Sequence, residues 1–349
     1  MRLDTNCVRC DESDEALPYY LSPDFVADGE SIHDPLAFPA MDFMMDFMKN
    51  MPAENLAEPI NIVDAHNSPV WHIDTIWPKL QKAWRLADTG RYDLSNKMVK
   101  DICRQYEVGN DSLPAAQYFF LGAVHPLRDE LSEELIKISE INESEFRKFI
   151  HYYQIKIKAE HRKDFYDLLS DFFDAFSDFN QVFLYARNDQ VMPLDARATS
   201  MNFDKVKKFY ANCYEFYAGA IHVYTCLNNI KEGRSYDQLR KISLHKYLET
   251  DKAERRNSLV NNPVFHAATE EFDSKIRNAS FHNWFRLKEG GQDIEYRSGG
   301  TGMVRSIGYA TYLNQCVKMI IQICQIFMVE LIFDLFAKKY AFVTKNPPK

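Results

Sequence analysis

Three residues in the last third of the chain have side chains suited to chemistry: Arg277, Asn278 and His282, in the stretch RNASFH. An arginine offers a rigid fork of N–H donors. A histidine titrates near neutral pH, with an ordinary pKa of about 6.5. An asparagine both donates and accepts hydrogen bonds. The bland alternative is a surface Arg277 paired with Asp273 four residues earlier, and a His282 stabilised by the C-terminal end of a helix dipole. Five helical residues rotate by about 500°, so Arg277 and His282 lie roughly 140° apart on a continuous helix. One copy therefore makes a poor pocket. Two copies related by a two-fold axis would interleave both side chains from both chains.

The elements that must position these residues are helical. Phe265, Ala268, Phe272, Ile276 and Ala279 recur at spacings of three or four, the stripe of a helix packed in a bundle. Glu270 and Glu271 precede Lys275 and Arg277, an order that suits the helix dipole. His282 falls at the end, before Asn283 as a C-terminal cap. A long helix is expected upstream, from Phe203 to about Lys231. Another is expected downstream, from about Met303 to Lys339, apolar on most sides and so widely buried. Between them, WFRLK-EGGQ-DIEYR over Trp284 to Arg297 predicts a β-hairpin that turns at Gly290 and Gly291.

RNASFH resembles the R-x4-6-H motif of HEPN domains, small helical bundles in which an Asn often follows the Arg. The resemblance covers roughly Asn202 to Tyr340. It implies a dimer formed through the motif and, in many members, a metal-independent ribonuclease that needs no cofactor; other members are non-catalytic dimerisation or RNA-binding modules. By that resemblance His282 is general base or acid at the 2′-hydroxyl or leaving 5′-oxygen, Arg277 holds the scissile phosphate, and Asn278 orients phosphate or imidazole. The products would be a 2′,3′-cyclic phosphate and a 5′-hydroxyl, and DNA would survive. Lys275, Lys252, Arg255, Arg256 and Arg286 are the candidate RNA-backbone contacts. In one HEPN branch a tyrosine two residues after the motif histidine is adenylylated by a partner. Trp284 stands at that position here, which disfavours that control. A toxin or antiphage abortive-infection effector under a protein regulator or trigger is the implied setting.

Composition supports an all-α chain. Of 349 residues, 46% are hydrophobic and only 12 are glycine, so a sizeable core of long helices is affordable and a turn-rich β fold is not indicated. Seven scattered cysteines, an odd number, argue against a disulfide framework. No uncharged apolar run reaches about 18 residues, and the first residues lack an apolar signal core, so no membrane span and a cytoplasmic location are expected. The net charge of −8 is uneven. Residues 201–349 hold 22 Lys+Arg against 15 Asp+Glu, a balance of +7, which leaves −15 for residues 1–200. A basic half carrying the motif fits a polyanion such as RNA.

Three segments follow from the pattern. Residues 1–60 are Pro-punctuated and acidic, 13 acids to 3 bases, and read as irregular, with self-masking of the basic half as one use. Within them Cys7 and Cys10 form half a zinc knuckle without a second pair, and no metal site is expected. Asp64, His66 and His72 are better read as a loop. Residues 61–190 read as a helical sensor or scaffold domain, with Asn142 and Glu145 as a capping box. An aromatic stripe from Phe165 to Phe183 marks core, and Asp167, Asp171, Asp174 and Asp178 are expected on the solvated face opposite it. Residues 188–202 read as a linker, and 200–342 as the HEPN-like bundle with its short hairpin.

Overall fold

The computed structural model describes residues 2–4, 7–9, 73–105, 129–188, 191–193, 195–271, 274–281, 284–297 and 302–340. His282, Asn283, Phe272, Asp273, Cys10, Asp64, His66 and His72 lie outside the described residues, as does most of the acidic N-terminal segment. The described part is predominantly helical, as the composition predicts, with one small three-stranded sheet. Near the N-terminus, β1 (Arg2–Asp4) and β2 (Cys7–Arg9) pair antiparallel.

The first half supplies α1 (Ile73–Asp88), α2 (Tyr92–Gln105), α3 (Asp129–Ile141) and α4 (Glu143–Tyr152). A π turn (Tyr153–Ile157) then leads into α5 (Lys158–Asp174) and α6 (Phe176–Arg187). The Asn142 side chain caps α4 by accepting from the Glu145 amide at 3.1 Å. The Glu145 carboxylate turns away from the cap to Lys148 and to Ser235, so only half of the expected box forms.

The aromatic stripe is core, as its spacing predicts. Phe165 stacks on Phe327 with centroids 4.1 Å apart, and Phe172 stacks on Phe179 at 5.0 Å. The stripe spans two helices, broken at Ala175, because Ala175 leaves the helical region. That break turns Asp178 inward, contrary to the expected solvated face. Asp178 is fully buried and accepts from the amides of Met201 and Asn202 and from the Tyr309 hydroxyl at 2.7 Å.

The expected linker is clamped to α6. Gln181 pairs with Thr199 through both of its amide atoms, as a neighbouring strand would. One hydrophobic core then runs through helices on both sides of it, so the two helical segments share their interior.

The second half begins with α7 (Phe203–Ala220), capped by Asn202, and α8 (His222–Lys231). The single long helix expected there is interrupted at Ile221. Then come α9 (Leu244–Leu248), a 3₁₀ segment (Lys252–Leu259), α10 (Pro263–Ala267) and α11 (Ser274–Phe281). The motif helix is thus shorter than its stripe predicts, although Phe265, Ala268, Ile276 and Ala279 are all buried. Side chains from neighbouring helices satisfy the backbone that the intervening turn frees. Tyr217 donates to the Ala268 carbonyl at 2.5 Å, and the Glu271 amide donates to Gln322 at 3.2 Å.

The hairpin forms as β3 (Phe285–Leu287) and β4 (Asp293–Tyr296), with Gly290 and Gly291 at the positive φ its turn requires. A third strand, β5 (Arg305–Gly308), pairs with β4, where the sequence predicted the first turn of the final helix. That helix, α12 (Tyr309–Lys339), starts six residues later than expected. It is long and apolar enough to cross a membrane by length and composition. However, 67% of its most apolar window is buried inside the fold, as expected of a core helix.

Candidate functional site

Two polar regions meet at Glu215, on α7. The first is the motif. Arg277 sits on α11 with its side chain one-third exposed. Its Nε donates to Glu215 Oε1 at 2.7 Å, its Nη2 reaches the same oxygen, and its Nη1 donates to Asn278 Oδ1 at 2.8 Å. The guanidinium lies 5.8 Å from the Tyr214 ring centroid. Asn278 thus accepts from the adjacent arginine, a contact different from the phosphate or imidazole that the resemblance implies. Glu215 Oε2 accepts from Lys252 Nζ at 2.6 Å. Burial works to raise the Glu215 carboxyl pKa, but hydrogen bonds and charge from Lys252 and Arg277 outweigh it and hold the group below its ordinary value.

The candidate RNA contacts sort into two kinds. Lys275 and Arg286 are exposed, and Arg286 lies 5.6 Å from the centroid of the half-exposed Trp284 ring. Lys252 is partly exposed and ion-paired. Arg255 is buried, with guanidinium donors on the carbonyls of Ala218 and Leu248, and so braces α7 against α9 rather than facing solvent. Arg256 is half-buried over the α10 turn, donating to Thr269 and His266.

The second region is a cleft of about 600 Å³ between α5 and α7. Glu160, Asp164, Asp167 and Asp171 line one wall; Asn212 and Glu215 line the other. At its back His161 and His222 lie with ring centroids 5.5 Å apart. His161 Nδ1 is 2.7 Å from Glu330 Oε1, and Glu330, 1% exposed on α12, also accepts from the Tyr153 hydroxyl at 3.0 Å. Burial alone would lower the His161 pKa; the Glu330 carboxylate outweighs it and raises the imidazole above its usual range. One turn further on, Asp334 binds Gln154, Lys158 and Arg162. His222 Nδ1 lies 2.6 Å from the Gly219 carbonyl oxygen. Burial, then the nearby His161 and Arg255 charges, lower its pKa to about 4 against the pull of that carbonyl.

Sequence reasoning did not find Glu215, His161, His222 or Glu330 as site residues. Glu330 carried a signal, since an acid in the middle of an apolar helix demands a buried partner. Its partner lies 169 residues away and cannot be read from spacing. Among the described residues, no group of three or more His, Cys, Asp or Glu is disposed to hold a metal ion. Compared with protein-family models, curated proteins and solved structures, the chain matches none of them.

Proposed function

We propose that the chain is a metal-independent endoribonuclease of the HEPN type, acting as a dimer with a composite Arg277/His282 site. The observation that carries this reading is the motif arginine. Its guanidinium is held from two sides, by Glu215 and Asn278, at a surface still open to solvent. A positioned cation of this kind stabilises charge developing on phosphate oxygens without reorganising. His282 follows the end of α11 by one residue. It would move the proton between the ribose 2′-hydroxyl and the leaving 5′-oxygen. Asn278 and Glu215 are positioning residues. Lys275 and Arg286 contact the RNA backbone. In this reading the chain serves as a toxin or antiphage effector in the cytoplasm.

The second reading is a non-catalytic HEPN-like dimerisation or RNA-binding module. The acidic cleft beside Glu215 supports its dimerisation form, because the carboxylates there repel a phosphate backbone.

Incubating purified full-length protein with bulk RNA in EDTA separates the two. The enzyme reading expects metal-free cleavage that falls by roughly 10²–10⁴ in His282→Ala. RNA bound but intact, equally for wild type and variant, identifies the module.

A further inference from the structure

The solvent face of the small sheet carries a feature that the ribonuclease reading does not use. Phe285 and Tyr296 pair across β3 and β4, and both are buried. Strand alternation therefore turns their neighbours Arg286 and Glu295 outward, and both are exposed. Trp284 and Arg297 stand one position beyond that pair, where the Arg297 amide donates to the Trp284 carbonyl at 3.2 Å. Trp284 is 43% exposed, against the burial that so large a ring usually finds.

The Arg297 guanidinium carbon lies 3.0 Å from the centroid of that ring. At such a distance it must lie over a face, because an atom in the ring plane would overlap the ring's own carbons. The Nε of Arg297 is buried without a hydrogen-bond partner, so the ring holds the guanidinium where no acceptor does. A second guanidinium, that of Arg286, is 5.6 Å from the centroid. One face of the indole is thus backed, and the exposed area of the residue is left to the other face and the edge. Two cations beside the ring disfavour a cationic ligand such as a methylated lysine. They favour a flat ligand that carries negative charge, and a nucleotide has both properties. Trp284 also follows His282 by two residues, so their Cα atoms are at most about 7 Å apart.

We propose that the open face of Trp284, backed by Arg297, stacks one unpaired base of a single-stranded RNA beside the scissile phosphate. Glu295 stands opposite Arg286 on the same face and repels phosphate, which confines the backbone to the Trp284 edge of the sheet. Stacking tolerates any base, so the platform selects a single strand and not a sequence. The proposal rests on RNA as the partner, as the preceding reading does, but it needs no cleavage.

The test is fluorescence anisotropy of the full-length protein with a short 2′-O-methyl oligonucleotide, which lacks the nucleophile and stays uncut. Trp284→Leu keeps an apolar contact for Arg297 and removes the ring. It should weaken binding by about 5- to 100-fold, the value of one stacked base. Trp284→Phe should retain most of the affinity. An abasic sugar-phosphate strand of the same length should bind wild type and Trp284→Leu alike. Circular dichroism checks that each variant folds. In wild type, an oligonucleotide carrying bromouracil should photocrosslink to Trp284, a readout that stands if the variants misfold. Equal affinity in Trp284→Leu, an equal loss for the abasic strand, or crosslinks confined to other residues overturn the assignment. So does a dimer lost in Trp284→Leu with RNA affinity unchanged, which would give the ring to a protein interface. Uncut RNA in EDTA with Trp284-dependent binding retained removes the nuclease reading alone; no binding of either strand removes both.

Discussion

The motif and the cleft share one carboxylate and have opposite electrostatic character. At the motif the cation is met from within: Arg277 has Glu215 and Asn278 around it. At the cleft Glu160, Asp164, Asp167 and Asp171 line one wall, with Asp171 accepting from Asn212 at 3.1 Å, and Lys252 is paired with Glu215 on the other. Glu215 divides its two oxygens between Arg277 and Lys252, and so tethers the basic motif to the acidic groove. The acids of the cleft wall come from α5 in the acidic half and the motif cation from α11 in the basic half, so the two charge balances meet at one residue of α7, Glu215.

The contrast breaks most sharply at His161. His161→Ala leaves Glu330 buried with only Tyr153 as partner. Breaking such a pair costs about 3–5 kcal/mol, to be read from denaturant unfolding. A loss below about 1 kcal/mol would mean that Glu330 is solvated or protonated.

The two imidazoles also oppose each other in pH. His161, with its pKa raised by Glu330, contributes stability that is complete below the unfolded value of about 6.5 and fades as pH rises through the folded value. His222, depressed to about 4, binds its proton less readily folded than unfolded. Stability is therefore lost as pH falls from about 6.5 to 4, by roughly 3 kcal/mol at the lower end. Unfolding midpoints across pH 4 to 9 should peak near neutrality. In His222→Gln the acid limb should flatten.

The basic residues near the motif divide by burial. Arg255→Ala should destabilise by about 2–3 kcal/mol through its lost carbonyl contacts. Arg286→Ala should change stability by less than about 0.5 kcal/mol. Only the latter change should act mainly on RNA affinity, measured by filter binding across salt. Gly219→Ala should act in the opposite direction. The position is helical with open space beside it, so the alanine should stabilise by roughly 0.5–1 kcal/mol.

Much of the fold was legible because apolar spacing records which face is buried. The stripe at Phe165, Phe172 and Phe179 gave core, and Gly290 and Gly291 gave the hairpin turn. The breaks at Ala175 and Ile221 were not legible, since apolar periodicity runs straight through both. β5 was hidden because Arg305–Gly308 is short and abuts a strongly periodic helix. Asp178 was misread because its partners, Met201, Asn202 and Tyr309, are distant in sequence. Of the site, Arg277 and Asn278 were found from sequence. Their link to Glu215, and the His161–Glu330 pair, depend on tertiary packing of α5, α7 and α12.

The most direct measurement maps the ends of RNA exposed to the full-length protein in EDTA. Wild type should leave 2′,3′-cyclic phosphate and 5′-hydroxyl termini, and Arg277→Ala should leave the RNA uncut, with DNA untouched in either case. RNA left intact by wild type, or cut undiminished by Arg277→Ala, would contradict the account.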